Sequence, residues 1–306
     1  MWQRLRQKGL IDIFTLAMLW GPSYLFIKIA VIEMTPLTLA TTRITIGALL
    51  LAVVLKIKKI RLPRDRVLWF HCCIVGIFVN SLPFICFNYS LQTLPTSLSA
   101  IINGLTPIIT LLLANLFLSD ERLTLNRTIG VILGFSGFFV LFLPPLLNEH
   151  VVLDMRGMMF SCLGATSYAI ANVYAKKYLQ NAPAYATPLM QLSSSVVYLM
   201  PLAFLFDSPI QCIAEASWAT WGAILSMAFF GTTLAFMMFY RIIHYQGATA
   251  VAMVTYLLPI IGTILGVVFL KEHIGLLFCL AAVLILGGVM MVNGALTLDK
   301  GSARKQ

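Results

Sequence analysis

Long apolar runs separated by short polar segments constrain this chain more than any other feature of its sequence. A helix of about 20 apolar residues spans a bilayer, and a helix satisfies its own backbone polar groups in hydrocarbon. The runs cover residues 11–32, 37–55, 67–91, 96–118, 128–147, 156–176, 184–206, 218–243, 247–270 and 275–296. We therefore predict an all-α polytopic membrane protein with ten transmembrane helices.

Composition and charge distribution also indicate a chain that lies in lipid along almost all of its length. Of the 306 residues, 60% are hydrophobic and only 10% are charged, against about 25% charged residues in soluble domains. The net charge of +10 comes mainly from bases in the short gaps, where such residues set membrane orientation. The most basic gap is 56–66. We predict cytoplasmic N- and C-termini, membrane lipids as neighbours and no nucleic-acid partner; the resemblance described below implies the cell inner membrane.

An internal repeat is visible when the chain is shifted by 152 residues against itself. The shift places Pro107 on Pro259 and Leu118 on Leu270. Each half then contains five runs, and an odd number means that the halves cross the membrane in opposite senses. We predict two inverted five-helix repeats, residues 1–148 and 149–306, around a central cavity. Chance similarity between apolar segments is the alternative.

Lys28 and Arg43 are the only basic residues well inside apolar runs. A cation in hydrocarbon costs several kcal/mol, so it usually marks a site or a pathway. Either residue can bind a carboxylate or phosphate of a cargo molecule. The alternatives are structural: Lys28 can extend to the outer interface, and Arg43 can pair with Glu33 or with freed backbone carbonyls. Their aligned counterparts, Asn172 and Ser195, are neutral, so an anion site would lie in the first half alone.

Polar side chains form stripes inside several runs. Ser99, Asn103, Thr106 and Thr110 share one helical face beside Pro107, where proline frees backbone for a cavity. Packing between helices is the alternative, and it is our interpretation of the paired glycines 130/134 and 262/266. The predicted substrate-binding residues are Trp20, Tyr24, Lys28, Arg43, Asn80, Phe84, Asn88, Ser99, Asn103, Thr106, Tyr168, Asn172, Gln191, Tyr240 and Tyr256.

Motifs for catalysis and for cofactors are missing from the sequence. We find no HExxH zinc helix, no GxSxG nucleophile turn and no CxxC pair among the six cysteines. We therefore predict a protein that is not an enzyme and that binds no cofactor and no metal. No Asp or Glu lies in the middle of a run, which favours a facilitator or exchanger over a proton-coupled carrier.

The opening segment resembles that of EamA-type permeases in the drug/metabolite transporter superfamily. The resemblance rests on residues 20–24 (Trp-Gly-Pro-Ser-Tyr), Lys28, Pro36 and Arg43. The segments that begin at Pro107 and Pro259 are similar to the fourth and ninth helices of that family. The resemblance implies a ten-helix fold with a central cavity. It also implies alternating access, commonly for export of small metabolites across a bacterial inner membrane.

These observations together predict a secondary transporter of small organic metabolites, working as a facilitator or exchanger. Amino acids and other zwitterionic or anionic compounds fit the two cations. A proton-coupled antiporter is the main alternative, and an integral membrane enzyme or lipid-handling protein is a remote one. The sequence is compatible with either a monomer or a homodimer.

Overall fold

The structure, a computed structural model, describes residues 2–118, 124–141, 143, 154–180, 182–183, 185–246 and 254–292. Side chains are described for these residues except 2–10, 243–246, 255 and 256. All regular secondary structure within this part of the chain is helical. The helices of the first predicted repeat are α1 (Trp2–Trp20), α2 (Ser23–Ala30), α3 (Pro36–Ile57), α4 (Arg66–Gly76), α5 (Leu82–Thr93), α6 (Thr96–Asn103), α7 (Thr106–Phe117) and α8 (Leu125–Val140).

The second predicted repeat contains seven described α-helices and, like the first, one π-helix. The α-helices are α9 (Met155–Tyr178), α10 (Thr187–Phe206), α11 (Pro209–Glu215), α12 (Trp218–Ala228), α13 (Ala235–Gln246), α14 (Val254–Leu270) and α15 (Leu276–Val292). The first π-helix, Ile77–Ser81, joins α4 to α5, and the second, Phe229–Leu234, joins α12 to α13.

Six helical segments of the described chain are long and apolar enough to cross a membrane. They are Ile11–Ala30, Pro36–Ile57, Arg66–Thr93, Thr96–Phe117, Thr187–Phe206 and Trp218–Ile242. Three further apolar helices are shorter, and the 24 residues of α9 give it a length of about 36 Å. The chain is therefore an all-helical, multi-pass membrane protein, and the number of ten spans stays a prediction.

The distribution of side chains is inverted relative to that of a water-soluble protein. Large apolar residues are exposed on the outside of the bundle, as Ile32, Leu276 and Trp218 illustrate with exposed fractions of 81%, 85% and 93%. Polar residues such as Arg43 and Asn80 are buried at 4% and 0% exposure. Exposed apolar surface on this scale requires a nonaqueous neighbour, and lipid supplies it.

Four of the predicted continuous spans are interrupted near their middle. Gly21-Pro22 separates α1 from α2, and Gly104-Leu105 separates α6 from α7, in whose first turn Pro107 lies. Proline lacks the N–H group that would continue the ladder of hydrogen bonds. The other two spans each contain a π-helix. Interrupted helices in a membrane protein expose backbone groups toward the protein interior, where polar partners satisfy them.

The two π-helices begin at Ile77 and Phe229, which are 152 residues apart. This is the same offset that aligns the two halves of the sequence. π-helices are rare and frequently lie at functional sites, so their equivalent positions agree with the repeat. The division into two repeats stays a prediction.

Close packing of α8 against α15 depends on glycines, as the sequence predicted for Gly130 and Gly134. A Cβ atom on Gly130 would lie 2.7 Å from the carbonyl oxygen of Gly288. The interpretation is also confirmed for Gly262, where a Cβ atom would lie 2.8 Å from that of Ala100 on α6. Gly266 differs, because its neighbour is the carboxylate of Glu272 rather than another helix.

We expect Gly288→Ala to destabilise the bundle. Its new Cβ atom would lie 2.5 Å from Gly130 O and 2.6 Å from Gly134 N. Both are backbone atoms, so α8 and α15 must separate, at a cost of about 1–3 kcal/mol. The thermal unfolding midpoint of the detergent-solubilised protein should fall by several degrees. Gly222→Ala is the matched control, because nothing lies within 4 Å of its added Cβ. Equal midpoints for the two variants would contradict this packing.

Candidate functional site

Arg43 is buried in the interior of the bundle, where it is bound to the second π-helix. Its Nε donates a hydrogen bond to Thr232 Oγ1 at 3.1 Å, and its Nη2 donates to Gly231 O at 3.3 Å. The Phe84 ring covers the guanidinium, with its centroid 4.0 Å from Cζ. A π-helix displaces the regular carbonyl pattern, and Gly231 has no side chain to prevent the approach. The cation is therefore held by neutral groups only.

No carboxylate forms an ion pair with Arg43 within the described part of the chain. Of the two structural alternatives, the structure forms the bond to a freed carbonyl, and Glu33 instead accepts a hydrogen bond from Ser217 N at 2.8 Å. Burying a charge without a counter-ion costs several kcal/mol even after relaxation. Such a site favours any anion that can enter it.

Lys28 occupies a different site from Arg43. Its Nζ donates to Leu91 O and Leu94 O, both at 2.8 Å, so it caps the C-terminal end of α5, where the helix dipole favours a cation. It also lines a cavity of about 360 Å³ together with Glu272 and Thr93. The structure therefore does not bring the two cations together as one pair, and the role of Lys28 in substrate binding stays a prediction.

Aromatic rings surround Arg43 on the side of α2, α5 and α9. Tyr24 contacts Phe87 edge-on at 5.7 Å, and Phe87 stacks on Tyr168 at 5.9 Å. Phe84 and Tyr168 belong to one buried apolar cluster, and Tyr168 also packs against a second cluster that contains Tyr24 and Phe87. The structure thus groups three predicted residues, Tyr24, Phe84 and Tyr168, around the cation. Phe87 completes the group; it was absent from the prediction, although its spacing from Phe84 suggested a shared helix face.

Trp20 lies farther along the interior, against the second half of the chain. Its ring centroid is 5.6 Å from that of Phe239 and 6.2 Å from that of Phe236. The Tyr240 hydroxyl accepts a hydrogen bond from Gln191 Nε2 at 2.6 Å, joining α10 to α13. Tyr256 belongs to α14, but its side chain lies outside the described residues.

The residues of the polar stripe predicted on the fourth span have two different roles. Some join neighbouring helices, and others lie at the break in the interior. Ser99 Oγ lies 2.9 Å from Ser161 Oγ, and Ser161 Oγ lies 2.6 Å from Ser90 Oγ, so these three hydroxyls join α5, α6 and α9. Thr106 Oγ1 donates to Asn103 Oδ1 at 3.0 Å across the break between α6 and α7. Ser99 therefore contributes to helix packing. Ser161 was missed because a lone serine gives no sequence signal.

The remaining predicted asparagines differ in whether their amides are paired. Asn88 Nδ2 donates to Pro36 O at 2.8 Å and so joins α5 to the start of α3. Asn172 Nδ2 donates to Thr110 Oγ1 at 3.3 Å. Asn80, in the first π-helix, is completely buried, and neither its Oδ1 nor its Nδ2 has a hydrogen-bond partner in the described structure.

Carboxylates at one end of the bundle, predicted to be the outer end, cap helices of the opposite predicted repeat. Asp207 accepts hydrogen bonds from Thr35 Oγ1, from Thr38 Oγ1 at 2.9 Å and from Thr38 N at 3.0 Å, at the start of α3. Glu272 accepts from Thr96 N at 2.5 Å and from Ser97 N at 3.0 Å, at the start of α6. Negative charge at a helix N-terminus is favourable. The sequence could not identify these caps, because each partner lies more than 150 residues away.

Metal ligands do not cluster in the described structure. No group of three or more His, Cys, Asp or Glu side chains there is close enough to hold an ion. The candidate site instead consists of a guanidinium, aromatic rings and amide groups, which bind organic molecules by hydrogen bonds and stacking.

Together, the apolar exterior, the polar interior and the interrupted helices define a multi-pass membrane protein with the features of a transporter. The model of the EamA-like transporter family matches residues 7–143 and again residues 155–294. The chain belongs to this family of membrane transporters, which points to transport rather than to catalysis.

Similar proteins align along nearly the whole chain. The uncharacterized transporter YvbV of Bacillus subtilis is 27% identical over 94% of this chain and 92% of its own length. A probable amino-acid metabolite efflux pump of Salmonella typhimurium is 25% identical, covering 93% of this chain and 94% of that protein. A protein of the same description from Escherichia coli is 23% identical with the same coverage. A crystal structure 19% identical in sequence shares the fold, with a TM-score of 0.65 over 94% of this chain and 97% of that chain.

We expect the Glu33 contact to be lost in acid. The hydrogen bond from the Ser217 backbone N–H, followed by those from the Thr220 and Ser217 side chains, holds the pKa of the Glu33 carboxyl below its ordinary value of 4.5. A carboxyl with a depressed pKa stabilises the folded protein at every pH above its ordinary pKa. This stabilisation disappears as the pH falls through the pKa of the folded state. The unfolding midpoint of Glu33→Gln should therefore lie below that of the unmodified protein at neutral pH. The difference should shrink below pH 4.5, and a difference independent of pH would contradict the contact.

Proposed function

We propose that this chain is a secondary transporter of small metabolites that carry a carboxylate, amino acids among them. It works by alternating access, as a facilitator or exchanger. The observation that carries the proposal is the buried Arg43 guanidinium, which has only neutral partners within the described structure. A carboxylate of the cargo is the missing counter-ion.

The existing bonds of Arg43 can be exchanged for stronger ones. Hydrogen bonds between a guanidinium and a carboxylate measure about 2.7–2.9 Å and often form in pairs. The bonds to Thr232 Oγ1 and Gly231 O are longer, at 3.1 and 3.3 Å, and their acceptors are uncharged. A carboxylate that enters beside Phe84 therefore binds Arg43 more favourably than the π-helix does. The exchange releases α3 from the second π-helix, which couples binding to a change between the halves.

The relatives and the topology support the same proposal. Two of the similar proteins are described as probable amino-acid metabolite efflux pumps, and amino acids carry the carboxylate that Arg43 requires. We further propose that residues 1–148 and 149–306 are the two units that move, in the inner membrane and with both termini in the cytoplasm. The contacts of Arg43, Asp207 and Glu272 all join these two units.

We expect Arg43→Met to abolish transport of carboxylate substrates while the protein still inserts in the membrane. Arg43→Lys keeps the charge but loses the paired geometry, so it should retain only a small part of the activity. The measurement is counterflow of labelled amino acids and organic acids into proteoliposomes that contain the purified protein. Lys28→Met removes the other intramembrane cation, which binds the end of α5. Loss of transport in Arg43→Met alone would assign the carboxylate to Arg43, and loss in both variants would make Lys28 a second binding residue. Wild-type activity in Arg43→Met, or no transport of any panel member by the unmodified protein, would sink the proposal.

A second variant tests Arg43 without removing it. Thr232→Val keeps the side-chain volume but deletes the Oγ1 acceptor at 3.1 Å from Nε. Because one competing partner of the guanidinium is lost, the carboxylate substrate should bind more tightly, with a lower apparent KM. A raised KM with unchanged thermal stability would show that Thr232 helps to bind the substrate instead.

A proton-coupled antiporter is the second candidate. The ion pair between Arg241 and Asp12, at 3.6 Å, places a titratable carboxylate at the end of the first candidate span. Imposing a pH difference across the proteoliposome membrane separates the two mechanisms. For a facilitator or exchanger, we expect no substrate accumulation against its gradient. Accumulation that disappears in Asp12→Asn would establish proton coupling.

A further inference from the structure

We propose that Asn80 determines specificity by binding the amino group of the cargo. The substrate class is thereby narrowed from carboxylates to zwitterionic amino acids. The proposal rests on the proposed function, in which Arg43 binds the carboxylate of the same molecule. Its basis is an unpaired amide at a position where the other half of the chain binds a cation.

The amide of Asn80 is an exception among the buried polar groups of the interior. The residue has 0% exposure, and both polar atoms of its side chain lack a hydrogen-bond partner in the described structure. An unsatisfied buried group of this kind costs about 1–3 kcal/mol. Proteins tolerate such groups where a ligand supplies the missing partner. Asn80 also lies in a π-helix, a feature frequently found at functional sites.

The repeat shows what this position does in the other half. Thr232 follows Asn80 by 152 residues, at the equivalent position of the second π-helix. There it accepts a hydrogen bond from the Arg43 guanidinium. This position of the fold can therefore hold a nitrogen cation supplied by another element.

The second half has no cation equivalent to Arg43 that could bind Asn80 in the first π-helix. The residue aligned with Arg43 is Ser195, whose hydroxyl lies 3.2 Å from Gly76 O and 2.9 Å from Gln191 O. A serine is too short to replace a guanidinium, so Asn80 keeps no donor from α10. An N–H donor from a bound molecule can therefore bind Asn80 in the way that Arg43 binds Thr232 at the equivalent position of the second π-helix.

A second unpaired acceptor belongs to α10, the helix that packs on the same segment. Gln191 Oε1 is buried without a hydrogen-bond partner in the described structure, while its Nε2 is bound to Tyr240. A Cβ atom on Gly76 would lie 2.9 Å from Gln191 O, so α10 approaches the beginning of the first π-helix closely. Two adjoining elements thus carry amide oxygens without donors. A primary ammonium has three N–H donors and no acceptor, so it supplies the kind of group that these oxygens lack.

The arrangement also distinguishes a zwitterion from a simple amine. Phe84 follows Asn80 by four residues on the same helical segment, and its ring lies against Arg43. An amino acid bound along this segment places its carboxylate at the guanidinium and its ammonium at the amide of Asn80. The free Nδ2 of Asn80 can donate to an oxygen of the same molecule.

Asn88 provides a matched control on α5, because its amide is paired with Pro36 O. Asn80→Leu removes an unsatisfied amide and should not lower the thermal stability of the substrate-free protein. Asn88→Leu leaves a buried carbonyl without its donor and should lower it. The same substitution therefore distinguishes a ligand-binding amide from a structural one before any ligand is added.

The decisive experiment compares binding of L-leucine with that of 4-methylpentanoate, which lacks only the amino group, and likewise for every amino acid that the counterflow panel identifies. Affinity is measured from the ligand-dependent shift of the unfolding midpoint of the purified protein. We expect the unmodified protein and the control variant Gly222→Ala to prefer the amino acid at least tenfold, or about 1.4 kcal/mol. Asn80→Leu should lose this preference and keep its affinity for the acid.

Other outcomes separate this inference from the proposed function. If the protein binds the acids but Asn80→Leu retains the preference for amino acids, the role of Asn80 is wrong and the carboxylate site stands. If it binds neither class of compound, the proposed function fails as well. Asn80→Asp provides a second readout that needs no apolar substitution. It should raise the affinity for 3-methylbutylamine, which lacks the carboxylate, at least tenfold, and an unchanged affinity would overturn the proposal.

Discussion

The bond between Arg43 and the second π-helix is the interaction on which the interior depends. A guanidinium in a low-dielectric interior requires acceptors, and most carbonyls of a regular helix already accept one hydrogen bond within the helix. The π-helix at Phe229–Leu234 supplies Gly231 O and Thr232 Oγ1. The cation and the irregular helix therefore stabilise each other, and together they join α3 to the second predicted repeat.

The same physical rule organises the end of the bundle that carries the carboxylates. Asp207 and Glu272 satisfy backbone N–H groups at the starts of α3 and α6, which belong to the opposite repeat. Each predicted half thus depends on the other for its polar partners, in the interior and at one surface. Close backbone packing of α8 on α15 also joins the two predicted repeats, whereas the polar contacts are the ones that water or a charged substrate can replace. A transporter that alternates between two arrangements needs contacts of this kind.

The groups that we propose to bind the cargo lie at positions where the two predicted repeats differ. Thr232 and Asn80 occupy equivalent positions, but only the first has its cation, since Ser195 stands where Arg43 would be. Within the described structure, the first half therefore contains both a cation without an anion, Arg43, and an acceptor without a donor, Asn80. This is why we propose a zwitterion as the cargo.

The sequence by itself determined the lipid solvent and the apolar helices, and it identified Arg43 as a cation within an apolar run. These follow from local chemistry, because apolar run length and the cost of a charge in hydrocarbon do not depend on the partner. Only the tertiary structure decided that Lys28 caps α5, that the spans are interrupted by π-helices and that Asn80 is unpaired while Asn88 is bonded. Whether a polar side chain is satisfied depends on an atom a few ångströms away, often more than 100 residues distant in sequence. The spacing of residues within one helix does not predict which atoms of another helix will lie next to a polar side chain.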